Sequence, residues 1–317
     1  MTVINYVPDD SFVTAKPEGG RSTLLDRIDA SAIKGAPFPY VVIEDALAVD
    51  EYRELEAALP PIEVLPEKYR ECNNRRVDLI SSSGRAELPI EQITEQWSRF
   101  LQDHASERFV DQLVSLFGEH IAASSSRFYQ EILGPSWKRS LYDPKKRDGG
   151  KQFRWMQPWL SLSKTNWLND FANPQSLQVT GRATLALNTP VIRQTSVRGP
   201  HVDSRHKCYV GLFYLRHPDD QSTGGDLELF RWKSGKPRTR WASKISDNEL
   251  ELIETVPYRP NTYVLFLNTD DAIHGVTIRS KSKVPRYLCV TSGWFASAPE
   301  RIVGPSFTGQ GNGVYEK

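Results

Sequence analysis

The sequence predicts an α+β protein in which a helical layer packs on an antiparallel β core of sandwich or jelly-roll type. Two textures carry that prediction. Residues 90–121 hold apolar side chains at helical spacing, whereas beyond residue 150 the apolar residues come in short runs bounded by Gly, Pro, Asn or Asp. No flexible linker separates them, so the chain reads as a single domain over 1–317. Its parts are a mainly helical N-terminal layer at 1–150, a jelly-roll core at 151–300 and a C-terminal tail at 301–317.

The elements follow in chain order. Residues 1–36 are polar and irregular. Pro39-Tyr40-Val41-Val42-Ile43-Glu44-Asp45 reads as a short buried strand. Residues 50–59 read as a helix that Asp50 can cap and Pro60-Pro61 ends. Ile90, Ile93, Trp97, Phe100 and Leu101 form one helical stripe. Phe109, Val110, Leu113, Leu116, Phe117 and Ile121 form a second, with Ser106 placed as its N-cap. The strand runs are Ala183–Leu187, Cys208–Leu215, Leu227–Phe230, Leu250–Val256, Tyr263–Leu267 and Tyr287–Thr291. Pro218-Asp219-Asp220, Gly224-Gly225 and Arg259-Pro260-Asn261 are among their turns.

Composition narrows the function classes. Forty Lys+Arg stand against 39 Asp+Glu, for a net charge of +1, which argues against an unspecific nucleic-acid binder. No run approaches the length of a membrane span, and the N-terminus lacks the apolar core of a signal peptide. Three widely spaced cysteines make neither a disulfide framework nor a zinc motif. The expectation is a soluble, cytoplasmic protein.

Chemistry concentrates in the histidines, of which there are six. His104 and His120 fall in the helical region and read as surface or packing residues. His201 and Asp203, in Arg198-Gly199-Pro200-His201-Val202-Asp203, would share one face if this segment is a strand. His274 follows 71 residues after Asp203, just beyond the run Tyr263–Leu267. Two imidazoles and one carboxylate can hold one face of a metal and leave three positions open. Neutral nitrogen donors suit Fe(II) better than Mg²⁺ or Ca²⁺, and zinc stays open on ligand type. Arg286, twelve residues after His274, opens the run Arg286–Thr291. On a strand neighbouring that of His274 it would sit deep in the same cavity, where a buried guanidinium calls for an anion.

The order His201-x-Asp203, His274, Arg286 resembles the Fe(II)- and 2-oxoglutarate-dependent dioxygenases, in their prolyl-hydroxylase-like branch. Gly211-Leu212-Phe213-Tyr214-Leu215, Gly224-Gly225-Asp226-Leu227-Glu228-Leu229 and Gly293-Trp294-Phe295 fit the same resemblance, which covers about residues 180–296. It implies a double-stranded β-helix (a cupin-like jelly roll). It also implies His201, Asp203 and His274 as iron ligands, with Arg286 (or Arg279) and Tyr214 binding the far carboxylate of 2-oxoglutarate. The implied reaction consumes O₂, releases succinate and CO₂, and hydroxylates an unactivated C–H. Asp203 favours hydroxylation over halogenation, because halogenating relatives carry a small residue there. A small-molecule substrate is favoured, since no peptide- or nucleic-acid-binding module is visible. A prolyl-type protein substrate and a non-oxidising cupin-like metal-binding protein are the alternatives. Basic stretches at 145–154 and 233–244, Trp155, Trp159 and Trp167, Arg198, and Asn74 with Arg75 are candidates for the cavity rim or for receiving an anionic substrate. A solvated basic loop or plain packing is the simpler account of most of them.

Overall fold

The computed structural model describes residues 22–83, 87–88, 92–124, 138–139, 178–235 and 244–295. Ile90, the basic stretch 145–154, Trp155, Trp159, Trp167, Lys236, Arg238, Arg240 and the tail 301–317 lie outside the described residues.

Two sheets organise the rest. The larger contains β1 (Tyr40–Ile43), β2 (Arg76–Ser81), β3 (Lys138–Arg139), β4 (Gln178–Asn188), β5 (Lys207–Leu215), β8 (Thr262–Leu267) and β10 (Arg286–Phe295). Its order is β1-β8-β5-β10-β4-β2, antiparallel throughout, with β3 joined parallel to β4. The smaller sheet has the order β7-β6-β9, from β6 (Leu227–Trp232), β7 (Leu250–Val256) and β9 (His274–Val276). The expected strand runs are all found, most of them longer by a few residues. β2 is an addition: its alternating burial, with Val77, Leu79 and Ser81 buried, borders β4.

The two faces of the larger sheet bury different things. Along β10 the side chains alternate. Tyr287, Cys289 and Phe295 join an outer core with Tyr52, Trp97, Phe100, Phe109 and Leu113. These last come from α1 (Val49–Ala57) and, beyond the short α2 (Glu67–Arg70), from α3 (Glu95–Asp103) and α4 (Glu107–Leu116). Thr94 and Ser106 cap α3 and α4 by accepting from the amides of Trp97 and Phe109, so Ser106 is the N-cap its position predicted. Leu288 and Val290 face the other way. They join Tyr214, Leu227, Leu229, Val264 and Phe266 in an inner core between the sheets. Arg286 shares that inner face by the same alternation. No helix among the described residues is long and apolar enough to cross a membrane.

Candidate metal centre

His201 and His274 are brought together by the backbone. The amide of His201 donates to the His274 carbonyl at 2.9 Å, and that of His274 returns the bond at 3.0 Å. Residues directly opposed in this way place their side chains on one face, and the two rings lie 4.2 Å apart. Asp203 completes the group. One ligand atom from each residue fits within 4.8 Å, and all three residues are buried.

The local structure differs from the expected strand. His201 makes a single isolated bridge, and Val202–Ser204 follow as irregular chain. Convergence comes from the turn and from anchoring. Val202, between His201 and Asp203, and Ile273, beside His274, are both buried in a small apolar cluster with Phe230, Trp232, Ile245 and Leu250. Two backbone bonds fasten that cluster to the site, Ile245 N–H to the Pro200 carbonyl at 2.9 Å and Phe230 N–H to the Ile273 carbonyl at 3.0 Å. The sequence reading missed this cluster, whose parts are scattered from 202 to 273.

Hydrogen bonds orient the imidazoles for a metal. His201 Nδ1 faces the Gly199 carbonyl at 2.9 Å, and His274 Nδ1 faces that of Ala272 at 3.0 Å. Each Nδ1 must carry the hydrogen it donates, which leaves the Nε2 lone pair for a metal. Burial drives the pKa of His274 down to about 3, with the neighbouring His201 acting in the same direction. Burial alone would raise the Asp203 carboxyl. Lys207 and the two imidazoles outweigh it and hold that carboxyl well below the usual range. The site therefore offers one imidazole held neutral by burial, a second imidazole with its Nδ1 tied to a carbonyl, and one carboxylate, a donor set of the kind suited to Fe(II).

Arg286 is buried on the inner face, on β10 and not on a hydrogen-bonded neighbour of β9 as expected. β9 pairs with β6 in the smaller sheet, so Arg286 approaches the space between the sheets from the opposite wall. Its guanidinium carbon lies 4.4 Å from the Tyr258 ring and 5.0 Å from the Tyr214 ring. A 3.5 Å contact from Nη1 to Asn188 Oδ1 is its hydrogen bond, and no carboxylate pairs with it among the described residues. Among the described residues, buried Arg286 Nε, Asn188 Nδ2 and the Tyr214 hydroxyl have no hydrogen-bond partner of good geometry, although the Tyr214 hydroxyl stands close to the Arg286 guanidinium. Burial raises the Tyr214 phenol to about 12, with the Arg286 charge opposing. Three such polar groups at one spot are costly unless something binds there.

Arg279 is placed differently. It is buried, ion-paired to Asp220 at 3.0 Å, and donates to Ser222 Oγ at 2.8 Å and to the Val284 carbonyl at 2.9 Å. Gly224 and Gly225, at φ of 74° and 80°, let the chain turn tightly over both arginines. A Cβ on Gly224 would meet the Ile278 carbonyl oxygen at 2.0 Å. Arg198 Nη1 lies 3.4 Å from Asp203 Oδ1. Asn74 Nδ2 donates to the carbonyl of Thr195, and the Arg75 amide donates to Thr189 Oγ1, so both serve the loop around residue 190.

No family model and no curated protein matches the sequence. Among solved structures, a prolyl-4-hydroxylase from Pseudomonas putida aligns over 80% of this chain and 91% of its own, at 14% identity and a TM-score of 0.37. A prolyl 4-hydroxylase from Phytophthora capsici aligns over 90% and 70%, at 14% identity and a TM-score of 0.44. A bsmA homolog from Methylobium petroleophilum PM1 aligns over 82% and 90%, at 12% identity and 0.39. All three scores are below 0.5, and the site's chemistry follows from its own residues.

Proposed function

We propose that the chain is an Fe(II)- and 2-oxoglutarate-dependent oxygenase that hydroxylates an unactivated C–H of a small molecule. In this reading the two sheets form a double-stranded β-helix with a helical N-terminal layer, within one domain. The observation that carries the proposal is the buried His201–Asp203–His274 group facing the same inter-sheet space as a buried arginine with no carboxylate partner among the described residues.

Iron held by His201, Asp203 and His274 would supply oxidation of the C–H bond by O₂, coupled to conversion of 2-oxoglutarate to succinate and CO₂. The protein's part is placement. Phe266 packs on His274 at 4.8 Å and is opposed by Val210. Tyr214 lies four residues further along β5, roughly 13 Å at the usual strand rise. Arg286 and Tyr214 would receive the distal carboxylate, and the long guanidinium arm shortens the distance to the ligands. Arg286, Asn188 and Tyr214 would then find the partners they lack. Leu288, Val264 and Phe266 line the inner core and keep water away from the reacting atoms.

The test is succinate production. Wild-type protein with Fe(II), O₂, 2-oxoglutarate and a metabolite extract should form succinate together with a product one oxygen heavier. His274→Ala should form none, and coupled turnover in that variant would remove His274 from the ligand set.

A further inference from the structure

The carboxylate of the metal group is flanked by two cations. Lys207 Nζ lies 3.0 Å from Asp203 Oδ2, and Arg198 Nη1 lies 3.4 Å from Asp203 Oδ1. Neither has another carboxylate partner among the described residues. Lys207 is held in place: its side chain is only 17% exposed, and its Nζ stands 5.5 Å from the Trp294 ring. Arg182, on β4, brings its guanidinium to 4.8 Å from the same ring. The indole is fixed in turn by donating from Nε1 to Ser292 Oγ at 2.8 Å. A second basic cluster thus occupies one end of the inner face. Arg286 lies at the other end, eight residues of β10 away, roughly 26 Å.

Charge decides what this cluster wants. Resting on the oxygenase reading, Asp203 gives its single negative charge to a divalent metal. One carboxylate of 2-oxoglutarate then goes to that metal and the other to Arg286. Lys207 and Arg198 then share the one Asp203 charge with the metal, and a largely buried ammonium whose counter-charge is so divided is costly to hold. We propose that the substrate carries an anionic oxygen group, a carboxylate or a phosphate, that docks on Lys207 and Arg198. Such docking fixes one end of the substrate beside Asp203 and presents its neighbouring carbons to the metal group.

The experiment uses the full chain loaded with Mn(II) as a redox-inert metal, with binding followed by calorimetry. Benzoate and phenyl phosphate are the anionic probes, and benzamide is the neutral control. At least one anion should bind and benzamide should not; which anion is preferred separates a carboxylate from a phosphate substrate. Lys207→Met and Arg198→Gln should each weaken that binding roughly tenfold or more, the loss of one charge-assisted bond. Arg198, being half exposed, gives a second variant should Lys207→Met fail to fold. Equal binding of anions and benzamide, or unchanged affinity in both variants, overturns the proposal. A separate titration with 2-oxoglutarate reads the underlying function: failure there, with anion binding intact, strikes the co-substrate assignment and not the anion site.

Discussion

His104, on the outer face of the larger sheet, and His274, on the inner, are both buried and both donate from Nδ1 to a backbone carbonyl. They part at Nε2. His104 Nε2 accepts the Leu24 amide at 3.0 Å, and its ring stacks on Phe100 at 4.0 Å, so its polar atoms are satisfied inside the helical packing. His274 Nε2 instead looks toward His201 and Asp203. The arginines repeat the contrast: Arg279 is paired to Asp220, and Arg286 meets, among the described residues, aromatic faces and a long contact to Asn188 in place of a carboxylate. Burial alone therefore does not mark function here. What separates the two pairs is the counterpart: a backbone amide for His104 and a carboxylate for Arg279, against a cluster of possible metal ligands for His274 and no carboxylate among the described residues for Arg286.

The arginine pair should show the largest effects. Arg286→Ala should raise the 2-oxoglutarate requirement roughly tenfold to a hundredfold and leave the iron requirement nearly unchanged. Stability should behave in the opposite sense. Arg279→Met strands the Asp220 carboxylate and should cost about 3 kcal/mol of unfolding free energy. Arg286→Met removes an unpaired buried cation and should be neutral or stabilising in a denaturant titration. An exchange of these outcomes would make Arg279 the carboxylate receptor.

The histidine comparison sharpens through pH. Burial pushes His104 down to about 4, below the roughly 6.5 of an unfolded chain. The unfolded state then binds the extra proton between those values, so stability is complete above pH 6.5 and falls as pH drops toward 4. His104 should contribute about 3 kcal/mol of that fall. His104→Gln, compared with wild type by urea melts across this range, should show a flatter profile. Equal slopes would mean that His104 is not a neutral core residue.

Much of the fold was readable from side-chain pattern, because the core strands are runs of β-branched and aromatic residues with clear turns. β2 was missed although Val77, Leu79 and Ser81 alternate with Arg76, Asp78 and Ile80; its short, half-polar pattern is the only signal it offers. β9 has three residues, too few to show a period. The triad's membership was legible from residue type and order. Its assembly was not, since a two-way backbone bridge and the packing of Val202 with Ile273 depend on chain brought together from afar. The sequence favoured Arg286 and kept Arg279 as the fallback, without a view of what surrounds either. The Asp220 ion pair that separates them spans 59 residues. Lys207, Arg182 and Trp294 drew no notice as a group because they lie on three different strands.

The central claim is that the His201–Asp203–His274 group and Arg286 serve iron and 2-oxoglutarate. An anaerobic titration of the wild-type chain with Fe(II) followed by 2-oxoglutarate, watched by visible absorption, tests it most directly. A weak charge-transfer band should grow with the keto acid, and should need far more of it in Arg286→Ala. A wild-type chain that holds its iron, by metal analysis, yet develops no band at saturating 2-oxoglutarate would contradict the account.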